Sequence, residues 1–136
     1  AGLDTAICDG LIGVPIGPTN LSVGCDYTLD LVDTFGDGWN GNTITITVNG
    51  VPTNYTVPAG TGSTFTIPVT HGDQIDLQWN ATGSWQSECE IYFYDANGTL
   101  IHSDGTGFAV PSTNVFTFIA DCSVIAGISF VFDIFS

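Results

Sequence analysis

The chain has 136 residues, fourteen Asp and Glu, two His and no Lys or Arg, for a formal charge of −14 at pH 7. Near parity of the two signs would supply about 16 cationic side chains at this length. Their absence excludes nucleic acid as a partner, because polyanion binding runs on Lys and Arg. It likewise excludes Lys Schiff-base chemistry, Arg clamping of phosphate and a polybasic membrane patch.

With 43% of its residues hydrophobic and 12% aromatic, the chain is too apolar for a disordered acidic segment. Its length suits one domain with a real core. Residues 1–24 (AGLDTAICDGLIGVPIGPTNLSVG) carry Gly and Pro at short intervals and read as an extended N-terminal arm. The absence of Met, at position 1 and throughout, fits a processed mature protein. From residue 25 onward helix signals nearly vanish, and Thr, Val, Ile, Gly and aromatic residues dominate. Strands are expected at 26–33, 43–49, 51–57, 63–69, 74–79, 88–95, 99–102 and 114–121, with a possible ninth at 127–135. Asn49-Gly50 and Asn97-Gly98 are two-residue hairpin signals of type I′. Pro58-Ala59-Gly60 and His71-Gly72-Asp73 mark further reversals. Eight or nine short strands so spaced predict an all-β fold, an antiparallel β-sandwich of jelly-roll type over 25–122.

The tail, 123–136, is apolar but broken by Gly127, Ser129 and Asp133, which suits a strand better than a membrane anchor, so no membrane insertion is expected. Ile128, Phe130, Phe132 and Ile134 share one face, and Val131 and Phe135 make the other apolar too. Such a strand either closes its own sandwich or inserts into a neighbouring subunit by strand addition.

Four widely spaced cysteines, Cys8, Cys25, Cys89 and Cys122, point to two disulfides in an oxidising, extracellular setting. Of three connectivities, Cys25–Cys122 would join the two ends of the domain, leaving Cys8–Cys89 to staple the arm to a central strand. N-x-S/T sequons at Asn20, Asn54, Asn80 and Asn97 mark possible glycosylation on exposed loops.

The densest run of chemistry is 30–42, DLVDTFGDGWNGN, where a strand enters a loop bearing Asp33, Asp37, Asn40 and Asn42 among three glycines. Oxygen donors at near-alternate spacing on a tight curve suit Ca²⁺, which takes six to eight oxygens at flexible geometry. Asp37-Gly38 matches the fifth and sixth positions of an EF-hand loop. Phe35 at the third position and Ile44 at the twelfth do not match, so a further carboxylate must come from Glu88 or Glu90. Bound cations would also relieve the self-repulsion of so large a net charge.

The run CDYTLDLVDTFGDGWNGNTITITVNG, followed by GSWQSECEIYFYDANGTLI, resembles a domain recurrent in secreted and cell-surface proteins, notably of Bacteroidota. The resemblance covers about residues 25–122 and rests on Asp33, Gly36, Asp37, Gly38, Trp39, Asn40, Gly41, Trp85 and Glu88. It implies an extracellular β-sandwich of adhesins and large surface proteins, generally without assigned catalysis. The W-x-x-E spacing of Trp85 and Glu88 makes Glu88 the preferred ligand over Glu90. The missing Lys and Arg, the arm and the apolar tail depart from the pattern and suggest a stand-alone subunit.

Catalysis has little to stand on. His71 and His102 lie near Asp73 and Asp104, but no nucleophile motif such as G-x-S-x-G accompanies them. Glu88 and Glu90, the only glutamates, fall together inside an expected strand, and two-residue spacing puts them on one face, a poor glycosidase pair. The expectation is therefore a non-catalytic, Ca²⁺-stabilised structural protein, the self-assembling subunit of a surface filament, sheath or matrix. The alternative is a calcium-dependent carbohydrate-binding or adhesin module presenting Trp39 or Trp85 to glycans.

Overall fold

The computed structural model describes residues 23–123. The arm up to residue 22, with Cys8 and Asn20, and the tail from residue 124, with the expected strand at 127–135, lie outside the described residues.

Among the described residues the strand-rich sequence becomes eight strands: β1 Gly24–Asp33, β2 Thr43–Val48, β3 Val51–Tyr55, β4 Gly62–Thr70, β5 Gln74–Asn80, β6 Cys89–Tyr94, β7 Leu100–Asp104 and β8 Val115–Ile119. They form two four-stranded sheets, ordered β4-β1-β6-β7 and β3-β2-β5-β8, with every neighbouring pair antiparallel. Successive side chains of a strand point to opposite faces. Tyr27, Leu29 and Leu31 of β1 therefore meet Ile75, Leu77 and Trp79 of β5 in a shared core, while Asp26, Thr28 and Asp30 face outward. The same parity carries Asp33, the last residue of β1, onto the inner face at 2% exposure. That placement makes the site described below. The sandwich expectation holds, but the jelly-roll one does not. A jelly roll pairs its first and last strands, whereas among the described residues β1 is central in one sheet and β8 edges the other.

At Asn49-Gly50 both residues have positive φ (50° and 85°) and Val48 pairs with Val51, the tight hairpin expected. Asn97-Gly98 differs. The Asp95 carboxylate accepts the N–H groups of Asn97 and Thr99, both at 2.9 Å, and Gly98 N–H donates to the Asp95 carbonyl. Asp95 thus draws the chain into a wider turn, with Gly98 at positive φ and Asn97 not.

The expected Cys25–Cys122 disulfide is present and ties the start of β1 to the chain just beyond β8, across 97 positions of sequence. The second expected bridge, Cys8–Cys89, is not formed: Cys89 is a free, buried thiol. Strand parity explains this, because Cys89 shares the core face of β6 with Ile91 and Phe93. Burial first, then the charges of Asp33 and Glu88, push the thiol's pKa up to about 12, so it stays protonated and unreactive.

Candidate metal centre

Asp33 organises the loop between β1 and β2. Its Oδ2 accepts the N–H groups of Gly36 (3.0 Å), Asp37 (2.7 Å) and Gly38 (2.6 Å), and its Oδ1 accepts that of Phe35 (3.2 Å). A carboxylate so placed satisfies donors that a tight curve would otherwise leave unpaired. The curve also needs glycine at Gly38, where φ is +92° and a Cβ would lie 2.9 Å from the Val57 carbonyl oxygen. The loop closes on Trp39. Its indole N–H donates to the Val32 carbonyl at 2.9 Å, and its ring packs edge-on against Trp79 with centroids 5.3 Å apart.

A second segment reaches this loop from between β5 and β6. The backbone N–H of Gly83 donates to Asn42 Oδ1 at 2.8 Å, and that of Ser84 to the Asn40 carbonyl at 3.1 Å. Trp85 follows at φ 58°, ψ 43°, the left-handed region that a bulky residue seldom occupies. A 3₁₀ turn at Gln86–Glu88 then delivers Glu88. Glu88 therefore precedes the strand expected to contain it, and its carboxylate turns toward the loop. Glu90, inside β6, instead accepts the Tyr92 hydroxyl at 2.9 Å. The two glutamates do not act as a pair.

Of the five residues expected to hold a cation, the three carboxylates come together. Carboxylate oxygens of Asp33, Asp37 and Glu88 all lie within 4.8 Å of one another. Glu88 Oε1 is shielded from solvent and has no hydrogen-bond partner. Loss of water first, then the charges of Asp33 and Asp37, raises the Glu88 pKa above its ordinary value. No Lys or Arg exists anywhere in the chain to offset these charges. A set of hard carboxylate oxygens with one orphaned member fits a divalent hard cation, which Asp37, Glu88 and the less occupied Oδ1 of Asp33 could hold.

Asn40 and Asn42 do other work. Asn40 is exposed, and its amide donates to Asp37 Oδ2 at 3.4 Å. Asn42 is fully buried, and its amide nitrogen donates to the carbonyls of Trp39 (2.9 Å) and Ser84 (2.7 Å). It pins the two loops together, and its Oδ1 already accepts the Gly83 N–H.

The aromatic candidates separate as cleanly. Trp39 is 0% exposed and cannot stack on a sugar, while Trp85 is 65% exposed. Phe35, which the sequence offered only as a break in the EF-hand pattern, is 72% exposed and faces the same cleft. The sequence carried no signal for it beyond its place in the loop after Asp33.

Neither imidazole approaches this site. His71 Nδ1 accepts the Cys122 N–H at 3.0 Å, and His102 packs on Phe116 with centroids 4.3 Å apart. Among the described sequons, Asn54 and Asn97 are exposed. The Asn80 amide is engaged by the hydroxyls of Thr43 and Thr45. Comparison with protein-family models, with curated proteins and with solved structures finds no match to this chain.

Proposed function

We propose that the chain is a non-catalytic extracellular structural protein, a subunit of a surface filament, sheath or matrix that assembles by strand addition and is stabilised by Ca²⁺. The observation that carries the reading is the cluster of Asp33, Asp37 and Glu88 in a chain without a single Lys or Arg. Three carboxylates this close repel one another, and in most proteins a neighbouring cationic side chain would offset them. Here the counter-charge must come from a proton or from an external cation. Ca²⁺, bound through carboxylate oxygens of these three residues, supplies it. The same neutralisation would let subunits of charge −14 approach each other.

Two further features support the extracellular and assembling parts of the proposal. The Cys25–Cys122 disulfide suits an oxidising compartment, and no helix among the described residues is long and apolar enough to cross a membrane. Of the four edge strands among the described residues, β3 contains Pro52, β4 contains Pro68, and β7 has an irregular register and ends on Asp104. These are the devices by which proteins blunt open edges. The fourth edge, β8 (VFTFI), has neither proline nor charge and leaves Val115 and Ile119 exposed on its outer face. It is the edge best suited to accept another strand.

Sedimentation of the full chain, with Ca²⁺ and with a chelator, tests the proposal. Polymer in Ca²⁺ that shortens or dissociates on chelation is the expected result. A monomer at high concentration in both conditions removes the filament reading.

A further inference from the structure

The cleft beside the carboxylates has walls that metal binding does not require. Phe35 and Trp85 line one cavity of about 190 Å³ together with Asp37 and Glu88. Two large exposed aromatic side chains thus converge on one polar floor, and it is such convergence, not exposure alone, that marks a binding cleft. Neither is there through slack in the chain. The Trp85 segment is tied down on both sides, because the Ser84 carbonyl accepts the Asn42 amide and the Trp85 carbonyl accepts the Glu88 N–H at 3.0 Å. Phe35 is fixed by its N–H bond to Asp33 Oδ1. Both rings therefore stand on hydrogen-bonded backbone, which lowers the cost of ordering the cleft around a ligand.

We infer that this cleft binds a saccharide in a calcium-dependent manner. A sugar ring packs its apolar face against Trp85 or Phe35, and its hydroxyls join the cation held by Asp33, Asp37 and Glu88. The inference rests on the cation reading above and names the ligand class of the same site. Three residues do not complete a shell of six to eight oxygens, and three of the four N–H groups on Asp33 fall on a single oxygen, Oδ2. Part of the shell is thus left for hydroxyl or water oxygens. The carboxylates that hold the ion, Asp37 and Glu88, are also the floor of the cleft. Aromatic walls over bare carboxylates would suit an organic ammonium instead. The two ligands differ in sign toward calcium: the saccharide requires the ion, whereas the ammonium competes with it.

The test uses the full chain on a glycan array, in millimolar Ca²⁺ and in EDTA, with thermal melting run alongside. Calcium-dependent retention of a saccharide is expected for the wild type. Trp85→Ala and Phe35→Ala should each lower its affinity about tenfold, the factor given by 1.4 kcal/mol of lost stacking, while keeping the rise in Tm that Ca²⁺ produces. Glu88→Gln should lose both. A calcium-induced rise in Tm with no saccharide retained overturns the saccharide assignment and leaves the metal reading standing. Absence of the rise overturns the metal reading itself. Binding of methylammonium in EDTA that Ca²⁺ displaces would assign the cleft to organic cations and overturn the inference.

Discussion

Asn42→Asp separates two roles for one residue by the sign of its effect. If Asn42 were a cation ligand, a carboxylate in its place would strengthen the site. The structure makes it a pin, and the substitution removes both amide donors. The Ser84 carbonyl loses its 2.7 Å partner, while the Trp39 carbonyl loses the side-chain bond and keeps only the Asn42 backbone N–H at 3.0 Å. Losing the partner of the part-buried Ser84 carbonyl costs up to about 1–3 kcal/mol, and the new carboxylate would face these oxygens in a position with no solvent access. The loss is therefore about 3 kcal/mol or more. At about 4 °C per kcal/mol for a domain of roughly 100 residues, Tm should fall by about 12 °C. Urea and thermal melts, each with and without Ca²⁺, measure it. A fall below about 4 °C, or a gain in Ca²⁺ affinity, would refute the pinning argument.

Three other outcomes follow from the same geometry. Replacing Cys25 and Cys122 with Ser frees a loop spanning 97 positions; chain-entropy reasoning puts the loss near 4–5 kcal/mol, and an unchanged urea midpoint would contradict it. Trp39→Ala removes a fully buried ring that packs on Trp79, so it should cost about 3–5 kcal/mol without altering any saccharide affinity of the folded fraction. In the calcium-free protein the Glu88 pKa is raised above its ordinary 4.5, so its stabilising contribution is complete below that pH and is lost as pH rises through the folded value. The Tm of wild type minus that of Glu88→Gln, both in chelator, should therefore fall from about pH 4.5 toward neutrality; a flat difference speaks against the crowded cluster.

Much of the fold was legible because alternation is a local signal. Strands β1, β2, β4 and β5 carry period-two apolar spacing, whereas β3 (VPTNY) and β7 (LIHSD) do not alternate and were bracketed by their turn residues. The same alternation in β1 carries Asp33 inward, so the heart of the site could be read from the strand before it. What could not be read was set by groups distant in sequence. Glu88 joins the cluster because a 3₁₀ turn ends on it, and the Asn42 amide is engaged by Gly83 and Ser84, some forty positions away. Trp39 and Trp85 both sat in glycine-rich loops, yet only the fold decides which ring enters the core. Cys89 was paired by counting cysteines, whereas its position on the inner face of β6 decides its state.

The central claim is that Asp33, Asp37 and Glu88 hold a calcium ion that this chain's own side chains cannot replace. Calorimetric titration of Ca²⁺ into the chelator-stripped full chain tests it most directly. The account predicts heat that saturates at a single strong site per chain and disappears in the Asp37→Asn, Glu88→Gln double variant. No heat in the wild type, or undiminished heat in the double variant, would contradict it.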